Sequence, residues 1–177
     1  MIKIKWVITD KIEDISADEF NNEWNCIFGY FEISINNQVL GFCPDRKLLL
    51  DEEANEDILY WLLELSEGII YLDDSLEYEV QLLSMNRAKL VLKKEDKLQV
   101  SFVISNTDEV IWSEEVVIQE WLDEIRSNTS EFIDEIMRVN SVLLNTNLMQ
   151  KLIKIKDKIS IFKFESEDEF LEDIVNA

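Results

Sequence analysis

The sequence predicts a single α+β domain over residues 1–177, with an antiparallel sheet, helices packed on one of its faces and a helical C-terminal part. Three observations predict it. Residues 1–112 read mostly as strands, with one helix at about 52–67. Residues 114–177 read mostly as helices. Strands precede helices without strict β-α alternation, which argues against a parallel sheet. A hydrophobic content of 47%, with nine Phe, five Trp and four Tyr, supplies a core despite a net charge of −21.

The first strand covers residues 2–8: Ile2, Ile4, Trp6 and Ile8 share one face, Lys3 and Lys5 the other. Residues 10–25 are polar and acidic, a loop or a short helix around Ala17–Asn21. Residues 26–35 form a long strand with Ile27, Phe31, Ile33 and Ile35 on one face. Asn36-Asn37 tolerates the left-handed backbone of a tight hairpin turn, residues 38–43 return, and Pro44 ends the ladder. That hairpin puts Tyr30 opposite Cys43, so Cys26 and Cys43 are expected as buried thiols without a disulfide.

Asp51-Glu52-Glu53 suits the positive end of a helix. Ile58, Trp61, Leu62 and Leu65 follow as a buried stripe, and Gly68 sits where a C-terminal cap belongs. Short strands come next. One spans Ile69–Leu72, and another alternates Leu76, Tyr78, Val80 and Leu82 with Glu77, Glu79 and Gln81. A hairpin about Glu95-Asp96 points Leu98, Val100, Phe102 and Ile104 inward, and Val110–Trp112 adds an edge strand. From Glu114 a helical stripe runs through Ile118, Trp121, Leu122, Ile125, Phe132, Ile136, Val139 and Leu143. Ser127-Asn128-Thr129-Ser130 interrupts it, as a kink or as a polar turn of one long helix. A basic amphipathic helix follows over 147–158, and the tail 165–177 carries six acids with Phe170, Leu171, Ile174 and Val175 to dock it.

The absence of histidine removes the commonest general acid–base residue and the commonest transition-metal ligand. Ser-His-Asp and Cys-His mechanisms are excluded, and two cysteines cannot fill a zinc site. Gly29, Gly41 and Gly68 are isolated, so there is no phosphate-cradling loop. Carboxylates at Asp73-Asp74 or Asp51-Glu52-Glu53 are the one chemical route left, but neither has a metal-motif spacing. No catalytic residue, metal or cofactor is therefore expected. The charge of −21 argues against direct nucleic-acid binding and against anionic membrane surfaces. No stretch of about 18 apolar residues is present, and the N-terminal stretch lacks a signal-like apolar core. A cytoplasmic location is expected.

Residues 51–80 carry eleven acids and no Lys or Arg. Tyr60, Tyr71 and Tyr78 are interleaved, and Tyr60 lies four residues from both Glu56 and Glu64. The candidate partner-binding residues are Glu53, Glu56, Asp57, Tyr60, Glu64, Glu67, Asp73, Asp74, Glu77, Tyr78 and Glu79. Acids repelling one another one turn apart favour a cationic partner, and tyrosine is a preferred interface anchor. A plain solvated face that keeps the protein soluble is the other reading. Basic residues cluster at 87–97 and 151–163, where they can pair with acids or blunt sheet edges.

The order of elements is familiar. A Trp-containing strand leads into the hairpin Ile27–Asn37; then come a helix with Tyr60-Trp61-Leu62-Leu63, the strands Tyr78-Glu79-Val80 and Leu98–Phe102, and a long helix from Val117. Over residues 1–145 this resembles, in pattern, acidic α+β immunity proteins encoded beside bacterial polymorphic toxins, including contact-dependent growth inhibition systems. The resemblance implies a cytosolic, non-catalytic antitoxin that binds a cognate toxin domain and blocks its active site. Such pairs differ in their contacts, so no contact residue carries over. The acidic field makes a basic nuclease the expected toxin. Two alternatives stand: a DNA mimic that inhibits a nucleic-acid-binding protein, with acids spaced about 7 Å apart like phosphates, and a carboxylate- and metal-dependent enzyme.

Overall fold

The structure, a computed structural model, describes residues 1–49, 52–82 and 87–162. Its elements run β1 (Ile2–Ile8), α1 (Ala17–Glu19), β2 (Phe28–Ile35), β3 (Gln38–Phe42), β4 (Glu56–Asp57), α2 (Ile58–Asp74), β5 (Glu77–Gln81), β6 (Ala88–Lys94), β7 (Leu98–Ile104), β8 (Glu109–Val116), α3 (Ile118–Asn140) and α4 (Asn147–Ile161). A π turn, Phe20–Trp24, continues α1, and a 3₁₀ turn, Ser141–Asn145, joins α3 to α4. Asp51, expected at a helix start, and the acidic tail lie outside the described residues.

The α+β architecture stands, with two antiparallel sheets in place of one. β1, β2 and β3 are neighbours in the first, and β4 pairs with the start of β2; the second has the order β5-β6-β7-β8. The reason lies in α2. Its buried residues include Leu59, Trp61, Leu62, Leu63, Leu65, Ser66, Gly68 and Ile69, far more than a single stripe. A helix apolar on most sides must be covered on most sides. It packs against β2, against β5 and β6, and against α3 and α4. The buried side chains of both sheets and all the longer helices form one continuous core.

The first hairpin matches its expectation. Ile27, Phe31, Ile33 and Ile35 are buried, Asn36 takes a φ of 51°, and Gln38 pairs back to Ile35. With Phe31 opposite Phe42, Tyr30 is the next residue toward Cys43. Both cysteines are free; Cys43 is buried and Cys26 only half-buried.

The helix expected at about 52–67 instead runs Ile58–Asp74. Glu56 and Asp57 are strand residues, opposite Gly29 and Phe28. Asp57 is the N-cap, its carboxylate accepting the Tyr60 N–H at 3.1 Å. Ile69–Leu72, expected as a strand, belongs to the helix, since a short apolar run carries no decisive period. Gly68 is a crossing point and no cap: a Cβ there would lie 2.8 Å from Tyr78 Cδ1. The missing side chain lets β5 approach α2.

In the second sheet Val80, Leu98 and Val100, and Leu82 just past β5, are buried as expected. Phe102 and Ile104 are half-buried and pack against the same core, while the register shift at Phe102/Val103 lies in β8, where Ile111 is the extra residue. The edge strand β8 is longer than Val110–Trp112. α3 is one helix, and its polar run is a seam. Asn128 accepts the Trp6 indole N–H at 3.1 Å, and Glu124 accepts the Ile4 N–H at 2.7 Å. The Thr129 and Ser66 hydroxyls meet at 3.2 Å. Asn140, at the end of α3, donates to the carbonyls of Ile12 and Ile15 and fixes the loop after β1.

Candidate functional site

The acidic segment divides among three places. The first is a ridge along α2 and β5. Tyr78 donates its hydroxyl to Glu64 at 3.0 Å, and its ring stacks on Tyr71 with centroids 5.2 Å apart. Tyr60 donates to the carbonyl of Gln81 at 3.1 Å, tying the helix to the strand. Burial, with the charges of Glu64 and Asp57, pushes the Tyr60 hydroxyl up to about 12. Burial, then the bond to Glu64, also pushes Tyr78 up. Both hydroxyls therefore stay protonated donors at neutral pH. Asp73, Asp74, Glu77 and Glu79 are exposed beside them.

Some of these charges have internal partners. Glu67 meets Lys151 at 2.6 Å and Glu79 meets Lys89 at 2.5 Å. Those pairs match the expectation that the basic clusters face acids across the fold. Tyr71 is 57% exposed and belongs to the ridge, although only its place in the interleaved tyrosines marked it beforehand.

The second place is the start of α2. Glu56 accepts the Trp61 indole N–H at 3.0 Å, and Asp57 also accepts the Ile27 N–H at 3.3 Å. Burial raises the Asp57 carboxyl above its ordinary value, against the lowering effect of those N–H groups. Glu56, Tyr60 and Glu64 were expected to line up on one exposed helical face. They do not, because Glu56 precedes the helix and all three are half-buried and hydrogen-bonded. Glu56 and Asp57 hold the fold.

Glu53 stands apart, exposed on the rim of a groove of about 480 Å³. The groove lies between the end of β1, Trp24, Phe28 and the segment leading to β4, with Asp10 in its lining. Asp10 accepts the Phe28 N–H at 2.6 Å. Burial raises its carboxyl, the Phe28 N–H lowers it and the Glu53 charge raises it further. Glu52, on the wall, accepts both Arg46 guanidinium nitrogens at 2.8 Å, the Leu49 N–H at 2.9 Å and the Tyr30 hydroxyl at 2.9 Å. The Arg46 bonds foremost, then Leu49 and Tyr30, hold the Glu52 carboxyl at about 2. Asp10 and Trp24 were missed in the sequence because they sit in an aperiodic polar stretch that only the tertiary fold brings to Glu53.

No family model, no curated protein and no solved structure matches the chain. The site is therefore read from its chemistry alone. Among the described residues, no group of three or more acids or cysteines is placed to hold a metal ion, and no helix is long and apolar enough to cross a membrane.

Proposed function

We propose that this protein is a non-catalytic, cytoplasmic immunity protein that binds a cognate toxin, a basic nuclease, and neutralises it by covering its active site with an acidic surface. The observation that supports this reading best is the α2–β5 ridge. It joins an exposed tyrosine, a second tyrosine stacked on it and held by Glu64, and the exposed acids Asp73, Asp74 and Glu77. The rings are fixed before any partner arrives, so binding costs little side-chain entropy. A nuclease must present positive charge to phosphates, and a −21 protein has the complementary field.

The test is co-expression with the adjacent open reading frame and co-purification at about 0.15 M and 1 M salt. A stoichiometric complex with a neighbour that is toxic alone is the expected result. A harmless neighbour and no complex overturn the proposal. Asp74→Lys with Glu77→Lys should slow association and flatten its salt dependence, because steering follows the local field. Unchanged kinetics would move the interface off the ridge.

A DNA mimic is the second reading. Glu77 and Glu79 point the same way two residues apart on β5, which puts their carboxylates roughly 7 Å apart. The pairing of Glu79 with Lys89 weakens that reading, since a phosphate mimic needs both charges free. Competition with duplex DNA for unrelated DNA-binding proteins would favour the mimic.

A further inference from the structure

The groove beside Glu53 is unlike the ridge. Half of its lining is apolar, with Ile8, Phe28, Leu48 and Leu49, and Trp24 stands beside them, 39% exposed. Asp10 and Glu53 face the same space, and among the described lining residues Lys11 is the one cation. The carboxylate of Glu52, on the wall, is already occupied by Arg46. An aromatic ring, several apolar side chains and a pair of carboxylates lining one groove suit a planar cation on a hydrocarbon stem. The stem lies along the apolar wall, the cation stacks on the indole, and the carboxylates accept its N–H groups.

A guanidinium fits this better than an ammonium, because it stacks and forks at once. The protein forks one guanidinium onto a carboxylate next door, where Arg46 meets Glu52 bidentately. The volume of about 480 Å³ holds a side chain with its flanking backbone. The charges of Asp10 and Glu53 repel each other across the groove until a cation sits between them.

We infer that this groove receives an arginine side chain projecting from the basic partner, with Trp24 as its stacking face and Asp10 and Glu53 as its acceptors. The inference rests on the reading above that the partner is basic. It adds a second anchor point, separate from the ridge.

The experiment titrates the uniformly ¹⁵N-labelled full chain with the peptide acetyl-Gly-Arg-Gly-amide, and with the same peptide carrying citrulline, which keeps the shape and loses the charge. Saturable shifts are expected at the Trp24 indole N–H and at the amides of Thr9, Asp10 and Lys11, with the citrulline peptide at least tenfold weaker. Asp10→Asn with Glu53→Gln should weaken the arginine peptide about tenfold, and Trp24→Leu about threefold. The asparagine keeps an acceptor for the Phe28 N–H, and the citrulline comparison needs no variant at all. Equal binding of both peptides overturns the inference, as does absence of any shift at the groove. Shifts confined to the amides of Tyr71 and Tyr78 overturn it too, while leaving the partner reading standing. Co-purification with the neighbouring gene product decides that reading independently.

Discussion

Gly68→Ala is expected to destabilise the protein although it improves the helix. Alanine in a helix interior is favoured over glycine by about 1 kcal/mol. The new methyl group would lie 2.8 Å from Tyr78 Cδ1, and 3.2 Å from Tyr78 Cε1 and Leu92 Cδ1. Carbon atoms prefer separations of about 3.5–4.0 Å, so the tyrosine ring must retreat by more than half an ångström. The Leu92 methyl is the end of a flexible chain and can yield. The ring cannot do so cheaply: it is held by Glu64 through its hydroxyl, by Tyr71 through its face and by β6 through its backbone. Overpacking of this kind costs about 1–3 kcal/mol. The net is a loss of about 1 kcal/mol, or about 2–4 °C in Tm for a chain of this size. Urea unfolding of the wild type, the two single variants and the Gly68→Ala/Tyr78→Ala double variant measures it. Without the ring, the alanine should become stabilising by up to about 1 kcal/mol. A stabilising Gly68→Ala in the wild-type background, or the same effect in both backgrounds, would refute the reasoning.

Asp57→Asn keeps the acceptor for Ile27 and Tyr60 and removes a half-buried charge, so its stability should stay within about 0.5 kcal/mol of wild type, while Asp57→Ala should lose about 1–2 kcal/mol in denaturant titration. Asn128→Leu leaves the Trp6 indole N–H without its acceptor and should cost about 1–3 kcal/mol, read as a lower Tm. The acid limb of stability has two opposing parts. Glu52, lowered to about 2, contributes stability that is present above the ordinary carboxyl value of 4.5 and fades as pH falls toward 2. Asp10 and Asp57 are raised, so their contribution grows as pH falls through their own values. Glu52→Gln should flatten the loss of unfolding midpoint between about pH 5 and pH 2; an unchanged slope would show that the Arg46 clasp does not hold in solution.

What the sequence made legible depended on local period. Ile27, Phe31, Ile33 and Ile35 alternate, and Asn36-Asn37 marks the turn, so the turn and register of the first hairpin were legible, while its outer ends, expected at 26 and 43, fall at Phe28 and Phe42. The stripe of α3 survived its polar interruption because Phe132 and Ile136 resume in phase with Trp121 and Leu122, all of them buried. α2 was misplaced because its apolar residues wrap most of its surface, and Gly68 and Ile69–Leu72 read as a cap and a strand. Its polar side is a narrow stripe, Tyr60, Glu64, Glu67, Tyr71 and Asp74, that runs on past Gly68, and Asp51–Glu53 looked like a better start than Asp57. The candidate surface was legible only as charge and tyrosine content. Which acids are spent on Trp61, Lys151 or Lys89 depends on where the helix begins, on strand register and, for Glu67 and Lys151, on a contact distant in the chain. Trp24 and Asp10 reach Glu53 through long-range folding that no window of sequence contains.

The seam between β1 and α3 has a consequence for synthesis. Ile4 finds Glu124 120 residues further along the chain, and Trp6 waits as long for Asn128. α2, the centre of the core, is likewise uncovered until α3 and α4 exist. A ribosome adding about 5–20 residues per second therefore leaves apolar strands and a greasy helix exposed for on the order of ten seconds. During that interval the growing chain has no finished core, and like charge on its copies opposes their association. Of the 38 acids in the chain, those that touch nothing in the finished fold still act at this earlier stage.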